Sequence, residues 1–120
     1  MPTHRNTERA LQDCIDACQE CASVCERTAR HCLGMGGEHA SPAHQTLLRD
    51  CAHICATAGA FMARGSEHHH LVCGVCAELC VACAEDCERL AEGDQTMEQC
   101  AKTCRACARS CEQMAGAGHA

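Results

Sequence analysis

The chain has no tryptophan, no tyrosine and one phenylalanine, Phe61. Leucine, isoleucine and valine together number only thirteen. In 120 residues, enough for one domain with one core, that is too little bulk for an ordinary hydrophobic interior. No stretch approaches the roughly 20 apolar residues needed to span a bilayer. Basic charge is also scarce: 10 lysines and arginines stand against 16 acidic residues, for a formal charge of −6. That balance leaves no electrostatic footprint for nucleic acid or an anionic membrane surface. The opening MPTHRNTERA holds neither an apolar signal region nor a twin-arginine pair, so a cytosolic address is expected. Thiols stay reduced there.

What the chain does have is sixteen cysteines, together with many alanines and nine histidines. Alternating strand patterns are absent, and the apolar spacing is helical throughout. Four helical segments are predicted, at about 7–33, 42–64, 67–92 and 95–115. The first stops at GMGG (Gly34 to Gly37), and Ser41-Pro42 supplies an N-cap and first-turn pair for the second. Gly65-Ser66 and Gly93-Asp94 separate the rest. Short connections imply antiparallel neighbours. The expected fold is therefore all-α: an up-down-up-down four-helix bundle forming one domain over residues 1–120.

An internal repeat runs through three of these segments. C-x-x-C-A-x-x-C occurs at Cys18 to Cys25, Cys73 to Cys80, Cys80 to Cys87 and Cys104 to Cys111. At about 100° per residue, Cys73, Cys76, Cys80, Cys83 and Cys87 fall within an arc of about 80°. Cys100, Cys104, Cys107 and Cys111 share one stripe of their helix. So do Cys14, Cys18, Cys21, Cys25 and Cys32. Cys51 and Cys55 lie in line with His44, Leu48, Ala58 and Met62. All sixteen thiols thus occupy core positions of a bundle.

Four chemistries compete for such a core. Cysteine can serve as a small hydrophobe, but that does not explain its taking leucine's place on nearly every layer. A disulfide framework conflicts with facing helices about 8–10 Å apart, since a disulfide holds its Cα atoms within about 7 Å. Zinc and iron–sulfur sites use C-x-x-C pairs at loops and knuckles, not an unbroken seam along three helices. Zinc remains open, because any thiolate-rich core binds it. Cu(I) fits best: soft thiolates select it, two or three sulfurs satisfy it, and one thiolate can bridge two ions. Cysteines at i,i+3 and i,i+4 lie on neighbouring turns, so the seam becomes a column of sites with on the order of one Cu(I) per thiolate.

The repeated CQECASVC, CGVCAELC, CVACAEDC and CRACARSC units, with CAHIC on the second helix, resemble the bacterial copper storage proteins, and of these the cytosolic branch. The resemblance covers nearly the whole chain. It implies storage of many Cu(I) ions per protomer inside a four-helix bundle, a homo-oligomer (a tetramer of bundles), and an open end where histidine and methionine pass copper inward. Antiparallel topology gathers His31, Met35, His39, His44 and Met97 at one end, and His31, Met35, His44 and Met97 are the candidates for that entrance. The opposite end holds Phe61, Met62, His68, His69, His70 and Met114. His69, Met62 and Met114 there are candidate accessory ligands of a plug or a second opening. A second apolar face on the third helix (Val72, Val75, Leu79, Ala82) suits packing on another subunit or on a neighbouring helix. Glu78, Glu85 and Asp86 read as solvated.

The functional expectation is a store or buffer of Cu(I) rather than an enzyme, with a copper chaperone or an efflux regulator as a further class of partner. Sequestration of zinc or another soft metal is the alternative. A thiol redox enzyme is the rival from another class, and it needs one distinctive, activated cysteine with a base. The cysteines here read as near-equivalent.

Overall fold

The structure, a computed structural model, describes residues 3–117; Met1, Pro2 and the tail from Gly118, which the single-domain expectation includes, lie outside it. Four helices follow in chain order: α1 (Thr3–Met35), α2 (Pro42–Ala63), α3 (His69–Ala91) and α4 (Gln95–Ala117). Each packs along two neighbours, α1 with α2 and α4, and α3 with α2 and α4. That is the up-down-up-down bundle expected, in a body 52 × 22 × 19 Å.

The helix limits follow local chemistry. α1 begins before the predicted position near Thr7 and runs on through Gly34 and Met35, because a single glycine in a last turn weakens a helix without ending it. The break falls at Gly36 and Gly37, whose φ of 73° and 58° lie in the left-handed region that glycine enters without steric cost. A short 3-10 turn, Gly37–Ala40, then leads into Ser41. As predicted, Ser41 caps α2: the His44 N–H donates to Ser41 Oγ at 3.2 Å, with Pro42 opening the helix. Ser41→Ala is expected to cost about 0.5–2 kcal/mol, and a chemical denaturation curve would measure it. α3 starts later than predicted, because Ser66 first closes a turn by accepting from the His68 N–H at 3.1 Å. It ends on Glu92, which takes φ 42°. Asp94 caps α4, its Oδ1 accepting from the Met97 N–H at 2.9 Å.

Alanine and cysteine make up most of the interior. Ala29, Ala52, Ala58, Ala77, Ala84, Ala101 and Ala108 are buried between the helices. Ile15, Val24, Leu48 and Leu90, with Met62, Met97 and Met114, supply the larger side chains. Small side chains let helices approach closely, so short cysteine side chains from different helices meet at the axis. The arginine–glutamate pairs stay outside. Arg105 of α4 holds Glu88 of α3 through two hydrogen bonds at 2.8 and 2.9 Å, an exposed pair of modest worth.

The second face of α3 is only partly covered. Val72 packs against the core, while Leu79 and Ala82 are half-buried. Leu71 and Val75 stay 59% and 47% exposed. Beside them Gly74, Ala77, Val81 and Ala115 line a shallow groove between α3 and α4. Among the described residues no helix is long and apolar enough to cross a membrane.

Candidate metal centre

The helical cysteine stripes converge as their periodicity requires. All sixteen cysteines are free and have no solvent exposure. Starting at Cys14, sulfur–sulfur contacts of 3.5–4.0 Å run through Cys111, Cys18, Cys107, Cys55, Cys80, Cys51, Cys104 and Cys25 to Cys100. Cys21 joins this path through Cys25 and Cys104, and Cys76 through Cys55 and Cys80. The path crosses between all four helices.

Within the column the sulfurs form quartets. Cys21, Cys25, Cys51 and Cys104 lie within 4.8 Å of one another, as do Cys25, Cys83, Cys100 and Cys104. Further groups of the same size are Cys21, Cys51, Cys55 and Cys80; Cys55, Cys76, Cys80 and Cys107; and Cys18, Cys76, Cys107 and Cys111. Neighbouring quartets share members, so they are not separate cages. With a metal–sulfur bond of about 2.3 Å, tetrahedral coordination sets sulfurs about 3.8 Å apart, trigonal about 4.0 Å and linear about 4.6 Å. The observed contacts already lie in the first two ranges, and small side-chain rotations reach the third.

Burial works against every thiolate in this dry column. Donation from Cys104 and Cys111 holds Cys51 and Cys107, respectively, well below the ordinary thiol range. Cys104 and Cys111 are in turn pushed far above it, chiefly by Cys100 and Cys107. An ionised sulfur here therefore depends on protonated neighbours. The column cannot ionise as a whole without cations to replace its protons.

The two ends differ. At the end where α1 finishes and α2 begins, the buried His44 places Nε2 3.4 Å from Cys32 Sγ and Nδ1 2.6 Å from Asp86 Oδ2. His39, on the 3-10 turn, sets Nδ1 3.1 Å from Sδ of the buried Met97. His31 Nε2 donates to Asp94 Oδ2 at 2.9 Å. Of the four residues assigned to this entrance, His44 and Met97 lie at the column and His31 at its rim. Met35 does not join them: it is 45% exposed. It is the last residue of α1, beyond Cys32, the last buried position of that helix.

Asp86 is not the solvated residue the sequence suggested. Arg89 donates to its Oδ1 at 2.9 and 3.1 Å. Burial opposes its ionisation, but the bonds from His44 and Arg89 prevail and hold it below the usual carboxylate range. Asp94 is likewise held low, by the Met97 N–H and then by His31. Sequence reasoning missed both carboxylates as parts of the site. The signal available for Asp94 was its place directly before α4, where a cap is expected.

At the opposite end Cys73 Sγ contacts Sδ of the buried Met62 at 3.7 Å, and Met114 is buried as well. His69 turns Nδ1 to the carbonyl oxygen of Ser66 at 2.8 Å. Arg64 stacks over Phe61 nearby.

A four-helix bundle with a thiol-lined axis is a soft-metal-binding protein. The sequence matches the copper storage protein family over residues 7–116, and the chain belongs to that family. A crystal structure of a Nitrosospira multiformis protein superposes with a TM-score of 0.86 at 49% identity, covering 92% of this chain and 98% of that one. The Cu(I)-bound copper storage protein BsCsp3 (of Bacillus subtilis) gives 0.81 at 33% identity, covering 88% and 98%. A cytosolic copper storage protein from Streptomyces lividans, loaded with five coppers, gives 0.78 at 27% identity, covering 90% and 93%.

Proposed function

We propose that this chain is a cytosolic store and buffer of Cu(I), holding many ions on the thiolates of its sixteen cysteines within a single domain that spans the chain. The observation that carries this reading is the unbroken sulfur path with shared quartets. A shared thiolate bridges two ions, so metals stack along the axis. Monovalent cations replacing protons one for one keep such a stack near neutrality.

Copper enters at the His44 end, past His31, His39 and Met97. Met62, Met114 and His69 close the far end. The exposed Leu71 and Val75, beside the α3–α4 groove, support a homo-oligomer of bundles, a tetramer as in the family resemblance. A copper chaperone or an efflux regulator is the expected exchange partner.

Catalysis is not part of the reading. Cys32, His44 and Asp86 stand in the order of an activated cysteine nucleophile. Yet Cys32 has no solvent exposure, and burial, then the Asp94 carboxylate, push its thiol up to about 11. A nucleophile needs the opposite on both counts.

Anaerobic titration of the reduced protein with Cu(I) against a competing chelator tests the proposal. Uptake of more than about ten ions per chain with nearly all thiols masked is expected. Saturation at about one to four ions, with most thiols still reactive, overturns it in favour of zinc-type sites. The quartets are the one feature that suits such sites.

A further inference from the structure

The far end of the sulfur column closes on a donor that is not a thiol. On α2 one buried stripe runs through His44, Leu48, Cys51, Cys55, Ala58 and Met62. Leu48 shows that this stripe takes leucine where bulk alone is needed. At its last turn it takes a methionine instead, 1% exposed, and the Cys73 thiol donates to its Sδ at 3.7 Å. The other three helices bring thiols to the same layer. Cys14 of α1 lies 3.8 Å from Cys111 of α4, and both bear on the thiol of Cys73 of α3. The four helices thus furnish three thiols and one thioether. Two sulfurs 3.7 Å apart have the separation that one tetrahedral metal with bonds of about 2.3 Å requires. A thioether is a soft donor like a thiolate, but it is neutral and has no proton to give up.

We propose that Met62 and Cys73, with Cys14 and Cys111 beside them, form a terminal Cu(I) site that fills last and empties first. This rests on the storage reading and adds a second kind of site to it. Within the column each ion is held by thiolates, several of them shared between quartets. At the far end one donor carries no charge. The ion there lacks the Coulomb attraction that a second thiolate supplies, and that attraction is large in a dry interior. The thioether also displaces no proton, so it adds nothing to the exchange of protons for copper that favours loading elsewhere. The result is a graded store. Ions deep in the column are held firmly, and the one at Met62 is the first to pass to a competing ligand.

The test uses the full chain with its methionines replaced by selenomethionine, because X-ray absorption at the selenium edge reports the neighbours of that atom alone. The fully loaded protein is expected to show a copper–selenium bond, and that signal should fall in Met62→Leu. Leucine conserves the side-chain volume, so this variant is expected to fold. It should also bind about one ion fewer at saturation. Native protein at half its capacity should show no contribution from Met62. Withdrawing copper with a Cu(I) chelator should abolish that contribution before most thiols become reactive. A loaded spectrum that is the same in native protein and in Met62→Leu overturns the inference, and Met62 is then a packing residue. So does a Met62 contribution already complete at half loading. Met97→Leu, at the other end, needs no substitution at Met62: its loaded form should keep a copper–selenium bond, and the lack of one overturns the inference as well. The saturation capacity, measured separately, decides the storage reading. Uptake of more than about ten ions per chain with no copper on Met62 leaves storage standing and removes this site.

Discussion

Serine at Cys104 is expected to lower the copper capacity by about two or three ions per chain, whereas serine at Cys32 removes about one, on the soft-ligand argument. Cys104 touches Cys21 and Cys25 at 3.7 Å and Cys51 at 4.0 Å, and it belongs to two quartets. Its thiolate would bridge ions on both sides. A hydroxyl is a hard ligand and holds Cu(I) poorly, so its loss undersupplies each ion it joined. Cys32 sits at the end of the column, with His44 as its nearest polar partner, and its loss breaks no bridge. Native mass spectrometry of the loaded variants would read the difference directly. Equal losses of one ion at both positions would mean independent sites, and the shared-quartet description would fail. Cys104→Ser should also destabilise the copper-free bundle by about 1–3 kcal/mol, since its hydroxyl is left among sulfurs that accept hydrogen bonds weakly.

The column was legible in the sequence because it is a matter of helical period. Every cysteine lies on the stripe that a 3.6-residue repeat assigns it, and all reach the core. His44 was legible for the same reason, through its alignment with Leu48, Cys51 and Cys55. Asp86 was not, because its role arises only when α3 packs on α2 and brings it to a histidine 42 positions away in the chain. On its own helix it lies one residue off the stripe, where a charge is normally solvated. Asp94 was read as part of a break between helices, and only its second oxygen, turned to His31, joins it to the polar groups at this end of the column. The pairing of His39 with Met97 depends on a 3-10 turn that two left-handed glycines shape, which no period predicts. Met35 is 45% exposed: i,i+4 spacing put it near His31, but it ends α1 beyond Cys32, the last buried position of that helix.

These misses have a common origin. Intrahelical geometry is local and follows from spacing, so it fixes the sulfur ligands. The His44 end of the column is assembled from the ends of all four helices and from one connection, and its polar pairs are set by tertiary packing. His31 with Asp94 ties α1 to α4, while His44 with Asp86 ties α2 to α3. Two carboxylates thus hold the four helix ends in pairs around this end of the column, each occupying one nitrogen of a histidine.

Raising the pH is expected to unfold the copper-free bundle while leaving the loaded protein folded. The Cys32 thiol, ordinarily near 9.0, is pushed up to about 11 by burial and then by Asp94. Cys73 is pushed up to about 12; its contact with Cys111 acts the other way, but Cys14 and burial prevail. Both thiols stay protonated in the fold at pH values where the unfolded chain has lost those protons. Their contribution to stability is therefore complete below about pH 9 and declines as the pH rises through the folded values. Each such thiol removes at most about 1.4 kcal/mol per pH unit over that window, and less where water reaches the ends of the column. Copper reverses the situation. A Cu(I)-bound thiolate has no proton left to lose. Each site at about a thousandfold excess of free metal over Kd adds about 4.1 kcal/mol to the folded state. Anaerobic thermal melts followed by far-ultraviolet circular dichroism, at steps between about pH 7 and 11, would separate the two forms. A falling midpoint for the reduced copper-free protein, beside a flat and much higher one for the loaded protein, is the expected pair of curves. If the copper-free midpoint stays level through that range, the interior thiols are not held protonated, and the view that incoming copper replaces their protons loses its basis.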